Sequence, residues 1–463
     1  MIADEQTLRA AEIPNDGLIC YRGFFNQERV MVSSPKALAE VLVTNSYAFP
    51  KPSHFRWSIG RILGVGILLA EGEEHKMQRR SLTPAFAFRH IKNLYPVFWR
   101  KAREVTRAMM AEFNQQEETK VEISGWASRA TLDIIGVAGM GRDFGAIKNP
   151  DNTLAQTYSK IFKPSRQAQI LALVGMIIPM EFITKLPFRR NEDISKAASD
   201  IRAICRDLIQ EKKAKMANKE QADVDILSVA LESGGFTDEN LVDQLMTFLA
   251  AGHETTASAM TWAIYMLSRY SDIQTRLREE VRERLPSVDS DVDITSLDID
   301  RMPYLNAVCS EVLRYYAPVP LTMRDAAYDT TILGHPIRRG TRVVIVPWAT
   351  HFDHDLWGPD ADQFNPDRWL SADGETGADR KAASGGASSN YAFLTFLHGP
   401  RSCIGQSFAK AEFACLLAAW IGRFEFSLAN PEEMDEKNVE IRGGVTARPA
   451  KGMHVKVKVV GGY

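Results

Sequence analysis

The chain has 463 residues, 45% of them hydrophobic and 25% charged, a composition that is typical of globular proteins and too apolar for a disordered one. Its 56 lysines and arginines nearly balance its 58 acidic residues, and the net charge of −2 argues against a protein that coats nucleic acid. The five cysteines include no CxxC pair, so neither a disulfide framework nor a four-thiolate metal site is expected.

The order of the predicted elements indicates a mainly helical chain with smaller β-sheets near its two ends. Residues 17–32 predict two strands around a turn, and Pro35 then opens a short helix. Helical periodicity dominates from about residue 71 to about residue 316. The remaining predictions are a hairpin at 337–347, an exposed loop at 371–390, a helix after Cys403 and strands over 439–459. Because no linker separates these parts, we predict one α+β domain over residues 1–463.

The longest apolar run, residues 170–180, is too short for a membrane span, which needs about 18 apolar residues. Two interpretations remain open: a buried helix end with a loop, because the run contains Gly175 and Pro179, or a surface segment that enters a membrane. The second is supported by flanking basic residues that suit lipid headgroups, namely Lys163, Arg166, Lys185, Arg189 and Arg190. The N-terminal sequence MIADEQTLRA lacks the layout of a signal peptide.

The densest chemical pattern is the segment Phe396-Leu-His-Gly-Pro-Arg-Ser-Cys-Ile-Gly405, which we call the sulfur loop. A strongly helical sequence follows it, so Cys403 lies just ahead of a helix N-terminus, where free N–H groups and the helix dipole favour a thiolate. Its glycines permit a tight turn and the close approach of a flat partner. A lone thiolate suits heme iron better than zinc. Taken alone, however, an isolated cysteine in a glycine-rich turn is more typical of a buried structural thiol.

The sulfur loop resembles the FxxGxRxCxG heme-binding signature of the cytochrome P-450 superfamily. The defined positions are all filled, by Phe396, Gly399, Arg401, Cys403 and Gly405. The resemblance implies that Cys403 is the proximal ligand of heme iron and that Arg401 contacts a heme propionate. It also implies the mainly helical α+β fold of that family.

A second candidate site lies in a helix predicted over residues 237–269, in the segment Ala251-Gly-His-Glu-Thr-Thr256. The start of an HExxH zinc motif is excluded, because position 257 is alanine. A polar patch on a buried helix is the alternative that the residues alone leave open. The segment resembles the family's oxygen-activation motif A/G-G-x-D/E-T-T. The resemblance implies that Glu254 and Thr255 deliver protons to dioxygen at the iron.

Glu311 and Arg314 lie three residues apart on one face of a predicted helix, and a further arginine, Arg368, follows in Phe364-Asn-Pro-Asp-Arg-Trp369. Alone, ExxR is typical of a surface ion pair. Together the segments resemble the family's ExxR helix and its later Pro-x-Arg segment, which implies a buried structural network of these three residues. His351 and His354 have metal-ligand spacing, but nothing in the nearby sequence completes a site, so we assign them a structural role.

The family resemblance implies further contacts with heme. Arg79 and Arg324 match propionate-binding positions, and His75 stands where the family usually has tryptophan. Phe396 and Gly405 would pack against the cofactor. The substrate pocket would be lined by residues 55–68 and by the following mostly apolar set: Phe248, Ala251, Gly252, Val319, Leu321, Thr322, Val445 and Thr446. A bulky lipophilic substrate is therefore expected.

The resemblance implies a heme-thiolate monooxygenase that binds heme b and O₂ and hydroxylates or epoxidises a lipophilic molecule, in secondary metabolism. The alternatives are a desaturase, ring-forming or coupling enzyme of the same fold, and a heme sensor or carrier without catalysis. Electrons would come from NADPH through a separate reductase, with cytochrome b5 as a second donor. Two interpretations remain open for a further set of basic residues: a docking face for the reductase, or ordinary solvated charge. The residues are Lys76, Arg80, Arg89, Lys92 and Lys410.

The sequence of the sulfur loop and the Gly/Ser-rich segment before it resemble those of fungal, microsomal members of the superfamily. Such enzymes usually begin with a membrane anchor, which is absent from this sequence. We therefore expect a monomer at a membrane surface, on the cytosolic face of the endoplasmic reticulum if an anchor has been removed and in the cytoplasm otherwise. No nucleic-acid partner is expected.

Overall fold

The computed structural model describes residues 15–23, 26–113, 119–152, 154, 156–157, 189–218, 225–370, 383–443 and 445–463. The α-helices of this part of the chain are α1 Pro35–Ala39, α2 Ser53–Leu63, α3 Gly72–Phe86, α4 Phe88–Ile91, α5 Tyr95–Glu112, α6 Ile123–Ile134, α7 Arg189–Ala217, α8 Ile226–Glu232, α9 Asp238–Arg269, α10 Ser271–Arg284, α11 Ser296–Asp300, α12 Pro303–Tyr315, α13 Pro347–His351, α14 His354–Trp357 and α15 Gln406–Arg423. None of them is long and apolar enough to cross a membrane.

The strands are shorter and fewer, which confirms the prediction of a mainly helical chain with small sheets. They are β1 Leu18–Arg22, β2 Glu28–Val32, β3 Thr119–Glu122, β4 Thr322–Asp325, β5 Thr330–Ile332, β6 His335–Ile337, β7 Arg342–Ile345, β8 Phe424–Leu428, β9 Ile441–Gly443, β10 Ala447–Pro449 and β11 His454–Val459. They form a sheet of order β1-β2-β7-β4, a sheet of order β3-β11-β8, and the pairs β5-β6 and β9-β10.

The chain forms two units, and the division falls within α9. The first unit contains Met1–Pro50, Phe98–Ala127 and Thr255–Tyr463, and it holds every strand that the structure describes. The second contains Lys51–Val97 and Ser128–Glu254, and its described elements are helical. That these units act as one catalytic domain stays a prediction.

The core of the first unit forms where β2 and β7 run parallel, with Val30 opposite Val343 and Val32 opposite Ile345. Parallel strands are buried on both faces, which explains their nearly continuous apolar sequences. These four side chains and Leu38 of α1 belong to one buried cluster. Each contributes about 1.5–3 kcal/mol to the free energy of unfolding by its burial. This core supports the first strands and the segment after β4.

The predicted hairpin at 337–347 is wrong in its pairing, although both strands exist. Gly340 has a φ of +82° and makes the expected turn. β6, however, pairs with β5, and β7 pairs with β2 and β4. The reason is that the apolar residues of β7 are buried in the larger sheet, a long-range preference that local sequence does not reveal. The apolar run 170–180 and residues 371–382 of the predicted loop lie outside the described residues.

The long helix α9 forms as the sequence predicts. The Thr237 hydroxyl accepts a hydrogen bond from the backbone N–H of Asn240 at 3.2 Å, which caps the first turn. Gly252 weakens a helix interior, yet a Cβ at this position would lie 3.0 Å from the side chain of Ile135. Close packing by the segment after α6 therefore explains this glycine.

Candidate active site

The sulfur loop is fixed by its own backbone and by a glycine that no other residue can replace. The Cys403 N–H donates to the Phe396 carbonyl at 2.9 Å, which closes the loop just before α15. Gly399 has a φ of +79°, and a Cβ there would lie only 2.1 Å from the Leu42 carbonyl oxygen. The loop therefore lies directly on the segment after α1. This packing holds the backbone of Cys403 in one place.

Cys403 differs from the other cysteines in its surroundings. It is exposed, although the loop that carries it is well packed, and it lies three residues ahead of the first residue of α15. Burial raises the pKa of the Cys205 thiol to about 12 and also raises the pKa values of Cys309 and Cys415. Those three remain thiols at neutral pH. Cys20 is also exposed, but it lies on β1 and not at a helix N-terminus.

The donor set around Cys403 fits heme iron. Among the described residues no group of three or more His, Cys, Asp or Glu side chains could hold a metal ion. A single accessible sulfur, held in a rigid loop and facing the positive end of a helix dipole, is suited to an iron whose other ligands belong to a porphyrin. The residues present therefore fit a heme-thiolate group.

The two arginines of the first unit that the resemblance assigns to heme propionates, Arg401 and Arg324, are both buried. The Arg401 guanidinium donates to the carbonyls of Ser46 and Phe49, at 3.3 and 3.0 Å. Arg324, on β4, is 3% exposed and donates to the Thr322 hydroxyl and the Met323 carbonyl, both at 2.8 Å. These hydrogen bonds fix the position of each guanidinium within the first unit.

In the second unit, α3 carries the two other predicted heme contacts. His75 is buried and Arg79 is half-buried, and their i,i+4 spacing places them on one face of the helix. Four of the basic residues predicted to bind a reductase, Lys76, Arg80, Arg89 and Lys92, are exposed in this unit. Lys410 lies in the first unit, with its ammonium 5.9 Å from the ring centre of Phe393 and 5.8 Å from that of Phe396.

The middle of α9 is more exposed than the rest of the helix. Ala251 is exposed, and Gly252, Glu254 and Thr255 are half-buried, whereas the next twelve residues are buried. Phe248, one turn earlier, is buried against the edge of Phe86, with ring centres 5.4 Å apart. The acid and the hydroxyl that the sequence singles out therefore lie on an accessible stretch of an otherwise buried helix.

His253 has a structural role beside this stretch. Its Nε2 lies 2.7 Å from the Ser128 hydroxyl, and its carbonyl accepts a hydrogen bond from the Thr131 hydroxyl at 3.0 Å. Both partners are on α6. These contacts fix the rotation of α9 in the second unit and agree with the exclusion of a zinc site.

A short glycine-rich segment of the predicted pocket is held by polar side chains that sequence reasoning missed. Asp243 and Gln244 of α9 accept hydrogen bonds from the N–H groups of Val65 and Ile67, at 2.8 and 2.9 Å. The buried Gln244 amide donates to Gln78 of α3 at 2.9 Å. The pocket wall at 64–67 is thus positioned by α9 and α3. The other predicted pocket residues are half-buried at Val319, Leu321 and Thr322 and exposed at Val445.

A buried carboxyl group on α15 was also missed. Glu412 is fully buried, and neither of its oxygens has a hydrogen-bond partner among the described residues. Burial raises its pKa well above the usual value, which favours the neutral carboxyl. The hydroxyl of Thr256, also buried, is near enough to oppose that shift but has no hydrogen-bond partner among the described residues. The signal in the sequence is an acid flanked by Ala411 and Phe413 in a helix that is apolar on all sides.

The predicted framework residues lie together in the first unit. Arg314 donates two hydrogen bonds to the Glu311 carboxylate at 2.9 and 2.8 Å, and Arg368 donates a third at 3.2 Å. The Trp369 indole donates to the same carboxylate at 2.8 Å. His351 accepts from the Leu394 N–H, and burial lowers its pKa to about 3, so it is a neutral structural residue.

Comparisons with known proteins agree on one family. The pattern of the Cytochrome P450 family matches residues 17–456. A cytochrome P450 monooxygenase of Aspergillus fumigatus, sphH, is 50% identical over 98% of this chain and 83% of its own length. ALT8 of Alternaria alternata, also a cytochrome P450 monooxygenase, is 45% identical over 96% of this chain and 84% of its own.

The similarity extends to solved structures. The crystal structure of the cytochrome P450DA heme domain has a TM-score of 0.79, at 22% identity, and covers 99% of this chain and 93% of that chain. This match confirms the predicted fold. The family pattern and the fungal relatives confirm the resemblance stated from the motifs. The chain therefore belongs to the cytochrome P450 family of heme monooxygenases.

Proposed function

We propose that this chain uses heme b, bound through Cys403, to insert one atom of O₂ into a bulky lipophilic molecule, with electrons from NADPH through a separate reductase. The observation that carries the proposal is the accessible sulfur of Cys403 in a rigid loop at the N-terminus of α15. Bound heme supplies the iron at which dioxygen is activated. By the resemblance to microsomal members, the proposed location is the cytosolic face of the endoplasmic reticulum.

Several residues of the chain are proposed to hold the cofactor, each through a different contact. The dipole of α15 stabilises the Cys403 thiolate, and Gly405 leaves space beside it. Arg401 and Arg324 in the first unit, and His75 and Arg79 in the second, are the proposed donors to the propionates. The bonds from Arg324 to Thr322 and from Arg401 to Phe49 position the two guanidinium groups, and a guanidinium forms charge-assisted hydrogen bonds with an anion such as a propionate.

Glu254 and Thr255 are the proposed proton donors on α9. Both are half-buried, so water can reach them in part, as a proton donor requires. Glu412 is proposed to hold a second proton, because burial keeps its carboxyl neutral beside Thr256. A neutral acid in a dry site gives up its proton only when a charge develops nearby.

The proposed pocket is apolar, which favours a lipophilic substrate with few polar groups. Phe248, Ala251, Val319 and Leu321 offer only carbon to a ligand, and Thr322 uses its hydroxyl to accept a bond from Arg324. Oxidation in secondary metabolism fits such a pocket, since the fungal relatives share the monooxygenase assignment.

Carbon monoxide difference spectroscopy on the reduced, heme-loaded protein tests the proposal. We expect the absorbance band of thiolate-ligated heme in the parent and in Cys20→Ser, the control that removes the other exposed thiol. The band should vanish in Cys403→Ser. An unchanged spectrum in Cys403→Ser would refute the proposal. NADPH consumption in the presence of reductase separates an oxygenase from a carrier, which should consume none beyond background.

A further inference from the structure

Three oxidisable aromatic side chains of the first unit form a continuous contact path. The Trp262 indole of α9 stacks on the Tyr316 ring, with centres 4.0 Å apart and planes within 6°. Tyr316 in turn contacts Tyr315, with ring centres 5.2 Å apart. Trp262 has no exposed surface, and the two tyrosines are 5% and 8% exposed. Electrons move readily between aromatic rings at van der Waals contact, so these rings form one electronic path.

The path ends on a carboxylate that reaches solvent. The Tyr315 hydroxyl lies 3.2 and 3.3 Å from the two oxygens of Glu436, and the Tyr316 hydroxyl lies 3.1 Å from one of them. The Glu436 side chain is 30% exposed, and its Oε1 also forms an ion pair with the Arg269 guanidinium. A phenol that loses an electron must also lose its proton, and burial raises the pKa of both tyrosines, so an acceptor base is needed. Glu436 is that base.

The charge of Arg269 favours this path over the neighbouring tyrosines. Its guanidinium lies 5.4 Å from the ring centres of Tyr265 and Tyr270, and a positive charge there opposes the removal of an electron from those rings. The Tyr265 hydroxyl donates to the backbone carbonyl of Glu433, which is a weaker base than a carboxylate. Tyr315 and Tyr316 are therefore the favoured sites of oxidation, because their hydroxyls contact a carboxylate.

The inner end of the path is on the same helix as the proposed proton donors. Trp262 follows Thr255 by seven residues in the uninterrupted helix α9. Seven residues make nearly two turns, a rise of about 10 Å, so the two side chains lie on the same face of the helix. We propose that Trp262, Tyr316 and Tyr315 carry surplus oxidising equivalents from the active site to soluble reductants. This inference rests on the proposed function, which supplies the oxidising equivalent.

Each step balances. An oxidising equivalent at the active site takes one electron from Trp262 and leaves an indole radical cation. Tyr316 returns that electron and passes its phenolic proton to Glu436. Tyr315 exchanges an electron and a proton with Tyr316 across the shared carboxylate. A soluble one-electron donor, such as a thiol or ascorbate, then reduces the phenoxyl radical, and Glu436 returns the proton. The net result is one electron moved from the donor to the active site.

Freeze-quench electron paramagnetic resonance tests the path directly. The heme-loaded protein, labelled with ring-deuterated tyrosine, is mixed with an aryl peroxyacid in the absence of substrate. We expect a tyrosyl radical in the parent, and ascorbate should remove it. In Trp262→Phe the tyrosyl signal should fall several-fold, and the heme absorbance should bleach several-fold faster.

Two matched controls separate electron transfer from packing. The Trp262 indole and the Ser258 hydroxyl both donate to the Ala447 carbonyl, at 3.0 and 2.7 Å. Ser258→Ala therefore removes a bond to the same atom but keeps the indole, and it should keep the radical. Trp420→Phe removes another fully buried indole, on α15, and should also keep it.

The double variant Tyr315→Phe, Tyr316→Phe keeps the Trp262 hydrogen bond, and we expect it to lose the tyrosyl signal and accumulate an indole radical. An unchanged tyrosyl yield in Trp262→Phe, or an equal loss in Ser258→Ala, would overturn the path. The carbon monoxide band serves as a separate readout in every variant. If the band is present and the radical yield is unaltered in the variants, only the path is rejected. If the band is absent from the parent protein, the proposed function and the path are rejected together.

Discussion

Two glutamates of the first unit are equally buried, and their surroundings give them opposite properties. Glu311 of α12 and Glu412 of α15 both have no exposed surface. Glu311 accepts five hydrogen bonds, two from Arg314 and one each from the Arg368 side chain, the Trp369 indole and the Asn365 N–H. Glu412 accepts none from the described residues. The comparison shows that burial alone does not determine the properties of a buried acid. Its hydrogen-bond and ion-pair partners decide whether it is a charged residue with a structural role or a neutral residue that holds a proton.

The largest expected effect is the loss of stability when the ion pairs of Glu311 are removed. Glu311→Ala leaves Arg314 buried without its carboxylate partner and leaves Arg368 paired with Asp360 alone, and we expect the free energy of unfolding to fall by about 3–5 kcal/mol. Denaturant titration measures it. Arg276→Ala is the control, because it removes an exposed ion pair with Asp367 and should cost less than about 1 kcal/mol. Equal losses in the two variants would contradict the role of Glu311.

A third glutamate sharpens the comparison, since Glu254 is half-buried rather than enclosed. Glu254→Gln removes its proton while keeping its size, and we expect substrate turnover to fall by about 10²-fold or more. The measurement is reductase-driven product formation, with a compound chosen from a panel by its shift of the heme absorbance. The carbon monoxide band should be unchanged. A normal turnover rate in this variant would remove Glu254 from the proton path.

The buried Gln78–Gln244 pair of the second unit shows that neutral polar groups also depend on their hydrogen-bond partners. Gln244→Leu removes the donor to the Gln78 side-chain oxygen and the acceptor of the Ile67 N–H, and we expect a loss of about 1–3 kcal/mol in the free energy of unfolding. Hydrogen exchange at Val65 and Ile67 should also accelerate. Exchange that stays at the parent rate would show that the wall at 64–67 is held by other contacts.

The last prediction concerns the pH dependence of stability that Glu412 causes. Because its folded pKa is raised, its contribution to stability is complete below the unfolded pKa of about 4.3 and is lost as pH rises towards the folded pKa. Glu412→Gln does not ionise, so its stability relative to the parent should increase with pH, by at most about 1.4 kcal/mol per pH unit. Denaturation at pH 5 and pH 8 measures the difference.

The exposed Glu440 provides the control for that titration, and Glu440→Gln should shift stability equally at both pH values. A stability difference between Glu412→Gln and the parent that does not change with pH would mean that Glu412 is ionised in the folded protein.

The parts of the molecule that sequence predicts are those that local patterns determine. The long helix α9 and the helix after Cys403 follow from periodicity and end signals, and the sulfur loop follows from a dense motif. The pairing of β7 with β2 does not, because it depends on distant apolar residues. Local sequence also does not predict the hydrogen bond from Val65 to Asp243, or that Glu412 has no hydrogen-bond partner among the described residues. Each of these features depends on residues far away in the chain. The assignments of heme, proton and substrate contacts to particular residues remain predictions.

The contact between Gly399 and the Leu42 carbonyl constrains how the protein is made. The Arg401 bonds to Ser46 and Phe49 join the same two parts of the chain, which are about 350 positions apart. During synthesis the segment after α1 leaves the ribosome long before the sulfur loop that covers it, so this surface stays bare for most of translation. Iron insertion must then follow release of the nearly complete polypeptide, and chaperones that shield early apolar segments should govern the yield of active enzyme.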